Sequence, residues 1–244
     1  MTRATSPTVI WHDVECGSYD ADLPLWRELA ARAGGPVLDV GAGTGRVTID
    51  LARRGHPVVA LDADPELLAA LEERAAGLPV STVCADARAF ALDRPVAQVI
   101  VPMQTLQLLG GPSGRAGLLR SAARCLPRGG LLVAALADAL DGTDDPDRSE
   151  PPLPDVREVD GTVYASHPVG VRREPTGVVI ERIRETVDPA GHRTAEGDEI
   201  HLDTVDAATV AAEAAAHGFR AEPALRVPAT DDYVGSEVVV LCRS

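Results

Sequence analysis

Short apolar runs alternate with helical patterns through the first 137 residues of the chain. Each apolar run is continuous rather than alternating, which predicts a strand that is buried on both faces. The predicted strands are 37–40, 57–61, 80–84, 97–101 and 131–136, and the predicted helices are 23–33, 47–54, 65–76 and 113–125. This order is typical of an α/β protein whose parallel sheet is covered by helices on both sides.

The pattern changes after this α/β part. Residues 141–154 are acidic and rich in proline, which is typical of a solvated loop or lid. Residues 156–202 predict antiparallel strands, because apolar and polar positions alternate and turn residues separate the runs. A helix over 204–217 capped by Thr204, and two strands over 220–227 and 237–242, complete the prediction.

Composition narrows the possible partners. The chain has 37 acidic and 23 basic residues and a net charge of −14, with 45% hydrophobic residues, so it is globular and acidic. Nucleic acid and anionic membranes require clustered cations, so we expect neither as a partner. All 23 basic residues are arginine, which excludes catalysis by a Schiff-base lysine. The apolar runs are shorter than the ~20 residues of a membrane span, and no signal-peptide pattern is present, so we expect a cytoplasmic location.

The four cysteines do not indicate a metal site. They are Cys16, Cys84, Cys125 and Cys242. They form no C-x-x-C pair, and no histidine lies at ligand spacing from any of them. A chain of this length does not require a disulfide framework either, so we expect four reduced thiols and no bound metal.

The stretch 37–46, VLDVGAGTGR, carries the clearest chemistry. Gly41, Gly43 and Gly45 lie between a predicted strand and a predicted helix, where glycine permits a tight turn and lets a ligand approach the backbone. The next strand ends at Asp62, a carboxylate that can accept hydrogen bonds from both hydroxyls of a ribose. A dinucleotide site has the spacing G-x-G-x-x-G, which the arginine at position 46 breaks. The motif therefore indicates a nucleoside ligand and argues against a nicotinamide cofactor.

The G-x-G-x-G form, with Asp39 inside the first strand, resembles motif I of the class I S-adenosylmethionine (SAM)-dependent methyltransferases. Residues 61–64 look like the acidic ribose clamp of that family, and 84–87 resemble the segment whose acid receives the adenine amino group. Residues 99–109 are similar to motif IV, and Tyr19 resembles the N-terminal tyrosine of the small-molecule members. The likeness covers about residues 19–244.

This resemblance implies an architecture. The fold class would be α/β, a Rossmann-like doubly wound sheet of seven strands with the last strand antiparallel, plus a small antiparallel β insertion. The chain would form a single methyltransferase-like domain over residues 1–244. Its parts would be an N-terminal cap segment and helix (1–35), a cofactor-binding half (36–140), an insertion on the acceptor side (141–203), and a C-terminal helix and hairpin (204–244).

The resemblance also implies a set of cofactor-binding residues. Asp62 would hold the ribose, Asp86 the adenine amino group, and residues 41–45 the methionine and ribose portion. The full set is Tyr19, Asp39, Gly41, Ala42, Gly43, Gly45, Arg46, Asp62, Ala63, Asp86, Ala87, Pro102, Met103 and Gln104. Simpler roles stay open: Asp39 would bond the loop amides, Asp86 would close an Asx-turn, and Arg46 would form a salt bridge instead of contacting the methionine carboxylate.

The implied reaction moves a methyl group from SAM to an oxygen or nitrogen of a small molecule. The segment after the fourth strand is Pro102-Met103-Gln104 rather than the Asn/Asp-Pro-Pro-Tyr motif of many nucleic-acid and amine methyltransferases, which favours a small-molecule acceptor. An O–H acceptor needs a base. His167 and His201, in the insertion, are the predicted catalytic residues, and His12 is a further candidate.

Three other functions stay open at this stage. They are a nicotinamide-dependent oxidoreductase, a non-catalytic SAM-binding protein, and a SAM-binding enzyme with non-methyl chemistry. The sequence also leaves open a homodimer. Only seven residues are aromatic, and the insertion holds one of them, Tyr164, so we expect an aliphatic acceptor pocket with a few Arg and His groups.

Overall fold

The computed structural model describes residues 5–137, 153–230 and 233–244 of the chain. The helices in these ranges are α1 (Pro7–Cys16), α2 (Leu23–Ala33), α3 (Arg46–Arg53), α4 (Pro65–Arg74), α5 (Gly111–Cys125) and α6 (Ala207–Ala215), with a 3₁₀ helix over Thr105–Leu108. The strands are β1 (Val37–Val40), β2 (Val58–Asp62), β3 (Val80–Cys84), β4 (Gln98–Val101), β5 (Leu131–Ala137), β6 (Asp155–Val159), β7 (Thr162–Glu174), β8 (Gly177–Val187), β9 (Arg193–Asp203), β10 (Phe219–Ala221), β11 (Leu225–Val227) and β12 (Ser236–Arg243).

The central sheet has the strand order β10-β12-β5-β4-β1-β2-β3, and β11 pairs with β12 beside it. Strands β1 to β5 run parallel to one another, whereas β12 runs antiparallel to its neighbour β5. This arrangement confirms the predicted doubly wound α/β fold with an antiparallel last strand. The chain order reverses between β1 and β4, and a crevice opens at the carboxyl ends of such strands.

Both faces of the central sheet are buried. Val99 and Val101 of β4 belong to the core that includes Leu118 of α5. Ile100, between them, belongs to the core on the other face, with Trp26 of α2 and no solvent exposure of either side chain. Because successive strand residues point to opposite faces, a continuous apolar run is what a sheet covered on both sides requires.

A second sheet has the order β6-β7-β8-β9, with all neighbours antiparallel. It confirms the predicted antiparallel β insertion. Helix α1 packs against it, with the Trp11 ring edge-on to Tyr164 at 5.4 Å between centroids. The loop predicted over 141–154 lies, as far as residue 152, outside the described residues.

Three local predictions were wrong. Helix α1 was missed, since residues 1–22 carry no clear helical pattern. Helix α6 is capped by Asp206, whose carboxylate accepts from the Thr209 amide at 2.7 Å, instead of by Thr204. The strand predicted over 220–227 is divided into β10 and β11, because Pro223 lies between them and has no amide hydrogen for a ladder.

Candidate functional site

The loop between β1 and α3 lies at the carboxyl edge of the central sheet. Gly41, Gly43 and Gly45 have φ angles of 74°, 54° and 98°. This left-handed backbone is readily adopted only by glycine. The amides of Gly41 and Ala42 both donate to the Leu61 carbonyl, at 2.8 and 3.0 Å, and so fix the loop against β2.

A cavity opens at this loop, and we call it the loop cavity. Its walls come from α1, β1, the loop and the segment after β4: His12, Cys16, Asp39, Gly41, Ala42, Arg46, Val47, Pro102, Met103 and Thr105. A Cβ on Gly41 would lie 2.6 Å from Thr105 Cγ2, and one on Gly43 would collide with His12 Nε2. The two glycines therefore keep the loop backbone close to neighbouring groups.

Asp39 places a buried carboxylate in the wall of the loop cavity, with 1% of its surface exposed. Thr48 Oγ1 donates to its Oδ2 at 2.7 Å, whereas Oδ1 has no hydrogen-bond partner among the described residues. Burial raises the pKa of Asp39 to about 6, and the Thr48 hydrogen bond and the nearby Arg46 offset this only in part. An unpaired buried carboxylate oxygen is costly without a donor, so the site fits a ligand with a cationic or N–H group.

Asp62 lies at the end of β2, beside the loop. Its Oδ2 accepts from the Gly43 amide at 2.8 Å, and its Oδ1 accepts from the Asp64 amide at 3.0 Å. These two bonds fix the carboxylate next to the backbone of the loop. A carboxylate has about four acceptor positions, so Asp62 retains capacity for the hydroxyls of a ligand.

Arg46 lines the loop cavity but is already paired. Its guanidinium donates to both carboxylate oxygens of Asp22, at 2.5 and 2.9 Å, and to the Tyr19 carbonyl at 2.8 Å. It also lies over the Tyr19 ring, 5.0 Å from the centroid. Both terminal nitrogens of Arg46 therefore already donate hydrogen bonds within the protein. This geometry favours the salt bridge over a contact of Arg46 with the methionine carboxylate.

Asp86 follows β3 and is exposed. Its carboxylate accepts from the Arg88 amide at 2.8 Å and from the Arg88 guanidinium, which lowers the pKa of Asp86. This is the Asx-type turn that the sequence left open. Ala63 is exposed next to Asp62, and Ala87 is half-buried against the core. The adenine role of Asp86 stays a prediction.

The segment after β4 joins the loop cavity to a second one. Met103 has a φ of 53°, which is rare for a residue with a side chain, and it lines both cavities. Among the described residues the second cavity has an uncharged lining: Tyr19, Met103, Gln104, Tyr233, Val234 and Ser236. The Tyr19 and Tyr233 rings pack at 4.9 Å between centroids. We call this the tyrosine cavity.

Tyr233 and Ser236 were not predicted as site residues. They lie just before β12 and at its first position. Because β12 runs antiparallel to β5, its first residue pairs with Ala137 at the end of β5. The beginning of β12 therefore lies at the same edge as the carboxyl ends of the parallel strands. The prediction of an antiparallel last strand therefore already implied that the residues at its beginning lie at this edge of the sheet.

His12 is the histidine that reaches the loop cavity. Its Nδ1 lies 3.3 Å from Thr44 Oγ1 in the loop. Burial lowers the pKa of His12, and the nearby Asp13 and Asp62 carboxylates oppose this only in part. Asp13 anchors α1, since its two oxygens accept from Arg74 of α4 at 2.8 and 2.6 Å.

His167 and His201 lie in the second sheet, and neither lines the two cavities formed by the described residues. His167 follows Ser166, which donates to Glu15 of α1 at 3.0 Å. Successive strand side chains point to opposite faces, so His167 points away from α1. His201 is 64% exposed, and its ring nitrogens lie 3.9 Å from a Glu174 carboxylate oxygen and 3.7 Å from a Glu199 carboxylate oxygen. The structure thus places both histidines apart from the loop cavity.

Comparison with known proteins agrees with this geometry. Residues 37–130 match the model of a family described as a methyltransferase domain. Over 88 residues the chain is 39% identical to the ribosomal RNA small subunit methyltransferase A of Moorella thermoacetica. That match covers 34% of this chain and 31% of the relative, so the chain spans less than a third of that protein.

Two solved structures share the fold over nearly the whole chain. A SAM-bound amino pentose methyltransferase of Micromonospora echinaspora, involved in calicheamicin biosynthesis, is 19% identical, with a TM-score of 0.72 and 100% of both chains covered. A sugar N-methyltransferase from Streptoalloteichus is 22% identical, with a TM-score of 0.73, and the match covers 100% of this chain and 96% of the other. The chain therefore shares the Rossmann-like fold of these two methyltransferases.

The loop cavity fits SAM, the cofactor of class I methyltransferases. The unpaired Oδ1 of Asp39 suits the α-ammonium group of the methionine portion. Asp62, fixed beside Gly43, suits a ribose hydroxyl. Gly41 and Gly43 have positive φ angles, and their lack of a side chain lets Thr105 and His12 pack directly on the loop.

Proposed function

We propose that this protein transfers a methyl group from SAM to a nitrogen or oxygen of a small molecule. The observation that carries this proposal is the unpaired carboxylate oxygen of Asp39, in a cavity bounded by the glycine loop. SAM has a cationic α-ammonium group, which would donate a hydrogen bond to such an oxygen. A nicotinamide dinucleotide has a pyrophosphate, which a buried carboxylate would repel.

The chain's own residues would position the reactants. Asp39 would fix the α-ammonium, and Asp62 would fix the ribose, so that the cofactor is held on both sides of its sulfonium. When bound, SAM supplies a methyl group that is activated by its sulfonium. Methyl transfer of this kind depends mainly on alignment, because holding two reactants together removes most of the entropic barrier.

The tyrosine cavity is the candidate site for the acceptor. It adjoins the loop cavity through Met103, which lines both. Its lining is uncharged and includes the side chains of Tyr19, Gln104 and Ser236, which can donate and accept hydrogen bonds. The sequence predicted an aliphatic pocket with Arg and His groups, whereas this lining has two tyrosines and neither Arg nor His among the residues described. It suits a small, neutral, polar acceptor.

A nitrogen acceptor is favoured over a hydroxyl. A hydroxyl needs a base in the site, whereas a neutral amine already carries the lone pair that attacks. Neither His167 nor His201 lies at the cavities, and the described lining of the tyrosine cavity has no carboxylate or imidazole. One protein of similar fold is named as a sugar N-methyltransferase and another as an amino pentose methyltransferase, which supports the proposal.

A nucleic-acid acceptor is disfavoured, although one relative is named as a ribosomal RNA methyltransferase. The net charge of −14 opposes the phosphate contacts that supply most nucleic-acid affinity.

No helix in the described ranges is long and apolar enough to cross a membrane. A cytoplasmic location and the possibility of a homodimer stay predictions from the sequence.

Calorimetric titration with S-adenosylhomocysteine (SAH) tests the cofactor site. We expect SAH to bind and Asp62→Ala to weaken binding at least about tenfold, because a hydrogen bond to a charged group contributes about 1.5–3 kcal/mol. Asp188→Ala is the matched control, since Asp188 lies in the turn between β8 and β9. No SAH binding, equal losses in both variants, or binding of NADH instead of SAH would contradict the proposal.

Methyl transfer itself requires a panel of acceptors. Amino sugars and simple hydroxyl sugars should be incubated with SAM, and SAH release should be measured. We expect turnover with amines rather than with alcohols. SAH binding without turnover on any acceptor would favour the non-catalytic alternative.

A further inference from the structure

Helix α1 brings one imidazole to the wall of the loop cavity. His12 lies over the glycine loop, and its Nε2 is the atom that a Cβ on Gly43 would meet first. The Gly43 amide donates to Asp62 Oδ2 at 2.8 Å. His12 and Asp62 thus contact the same residue of the loop, one at its Cα and the other at its amide.

The hydrogen bonds of Thr44 assign the tautomer of His12. The Thr44 hydroxyl donates its single proton to Asp13 Oδ1 at 2.7 Å. Asp13 is ionised, because Arg74 and Thr44 lower the pKa of Asp13 despite its burial. Toward His12, Thr44 Oγ1 can therefore only accept, and the Nδ1 that lies 3.3 Å away carries the hydrogen.

This tautomer leaves Nε2 as an acceptor with a free lone pair. The ring lines the loop cavity and is half-buried, with Nε2 directed toward the glycine loop. Burial lowers the pKa of His12, so the imidazole is neutral near neutral pH and the lone pair is available. A ligand hydroxyl that reaches Nε2 from the loop cavity would be a suitable donor to it.

We infer that His12 is a second ribose ligand, which accepts one hydroxyl of the SAM ribose at Nε2 while Asp62 accepts the other. The inference rests on the proposed function. The Asp13–Thr44–His12 chain of hydrogen bonds orients the imidazole. Asp13 is also held by Arg74 of α4 and lies 3.1 Å from Arg157 of β6, so the orientation is tied to two further elements.

Calorimetry with SAH and its 2′-deoxy and 3′-deoxy analogues tests this. Wild-type protein should lose about fivefold in affinity for the analogue that lacks the hydroxyl held by His12, as a neutral hydrogen bond contributes about 1 kcal/mol, and at least about tenfold for the analogue that lacks the hydroxyl held by the charged Asp62. His12→Phe keeps a ring but has no acceptor nitrogen. It should bind SAH about fivefold more weakly and lose nothing more with the first analogue, while it still loses at least about tenfold with the second.

Two further variants control for structure. His56→Phe changes a histidine in the turn before β2, at the opposite edge of the sheet, and should bind all three ligands like the wild type. His12→Gln restores an acceptor and should regain part of the lost affinity, which serves if His12→Phe does not fold. Thermal unfolding checks the fold of each variant.

Other results would overturn the inference. If His12→Phe lowers the affinity for SAH and for both analogues by the same factor relative to wild type, the His12 side chain only packs α1 onto the loop. Equal wild-type affinity for all three ligands would mean that no hydroxyl is held. If wild-type protein does not bind SAH, the proposed function itself fails, and that result is distinct from either of these.

Discussion

The buried carboxyl of Asp39 should make stability depend on pH in the opposite direction to a paired carboxylate. Burial raises the pKa of Asp39 from the ordinary 3.8 to about 6. The folded state therefore binds the proton more tightly than the unfolded chain does. The stabilisation of the folded state by this proton is complete at pH values below the pKa of Asp39 in the unfolded chain. It is lost as the pH rises through about 6.

The size of the effect follows from the two pKa values. A pKa that is higher by about 2 corresponds to about 3 kcal/mol of unfolding free energy when titration is complete. Between about pH 4.5 and about pH 7.5, roughly 2 kcal/mol of this is lost. Asp39→Asn cannot ionise, so its stability relative to wild type should rise by about that amount over this interval. The new amide group can also change the unfolding free energy by an amount that does not depend on pH, and such a change leaves the difference between the two pH values unaffected.

Urea denaturation across this pH interval measures the difference, with the fluorescence of Trp11 and Trp26 as the signal. Asp50→Asn is the control, because Arg27 lowers the pKa of Asp50. Asp50 has an ordinary pKa of 3.8, and the stability that its ion pair contributes is lost only in acid below that value, so its difference curve should stay nearly flat between about pH 4.5 and about pH 7.5. A difference between wild type and Asp39→Asn that stays constant with pH would refute the reasoning.

Two substitutions test the packing around the site and the core. Gly43→Ala should destabilise the fold by at least about 1 kcal/mol in thermal unfolding, because Gly43 has a φ of 54° and its Cβ would collide with His12. His12→Ala in the same chain should remove the collision, so additive losses would contradict this account. Arg115→Met should cost about 3 kcal/mol in urea denaturation, because Arg115 is 3% exposed and its guanidinium binds the Glu213 carboxylate at 2.7 Å. A loss below about 1 kcal/mol would show that the ion pair contributes little.

The central sheet could be predicted because each of its strands is fixed by a requirement that the sequence displays. Strand β4 needs apolar side chains on both faces, and Val99, Ile100 and Val101 supply them. The loop after β1 needs positive φ angles, and glycine supplies these. Local chemistry and global fold agree at these positions, so the pattern is sufficient.

Helix α1 could not be predicted, because its buried side is partly charged. Asp13 is buried and paired with Arg74, and Glu15 is paired with Arg184 of β8 at 2.8 and 2.9 Å. An amphipathic helix is recognised by apolar residues on its covered face. Where that face carries carboxylates whose partners are more than 60 residues away, the periodicity disappears.

The prediction of His167 and His201 as catalytic residues depended on the sheet face that each side chain occupies and not on secondary structure. The strands that contain His167 and His201 were predicted, but the face on which a strand residue lies depends on the register. The contact of Ser166 with Glu15 settles it for β7 and directs the next residue away from α1. No single-sequence pattern contains that contact.

The two halves of the candidate site differ in origin. Residues 37–130 match the family model and contain the glycine loop, Asp39 and Asp62, whose residue types follow from the backbone conformation and, under the proposed function, from the hydrogen-bonding groups of SAM. The tyrosine cavity also takes Tyr19 and Tyr233 from outside that range, and the loop cavity takes His12 from α1. Cofactor chemistry constrains the first half tightly, whereas many side chains can surround an acceptor. The acceptor should therefore be sought by substitution at Tyr19 and Tyr233, where this chain departs from what its motifs determine.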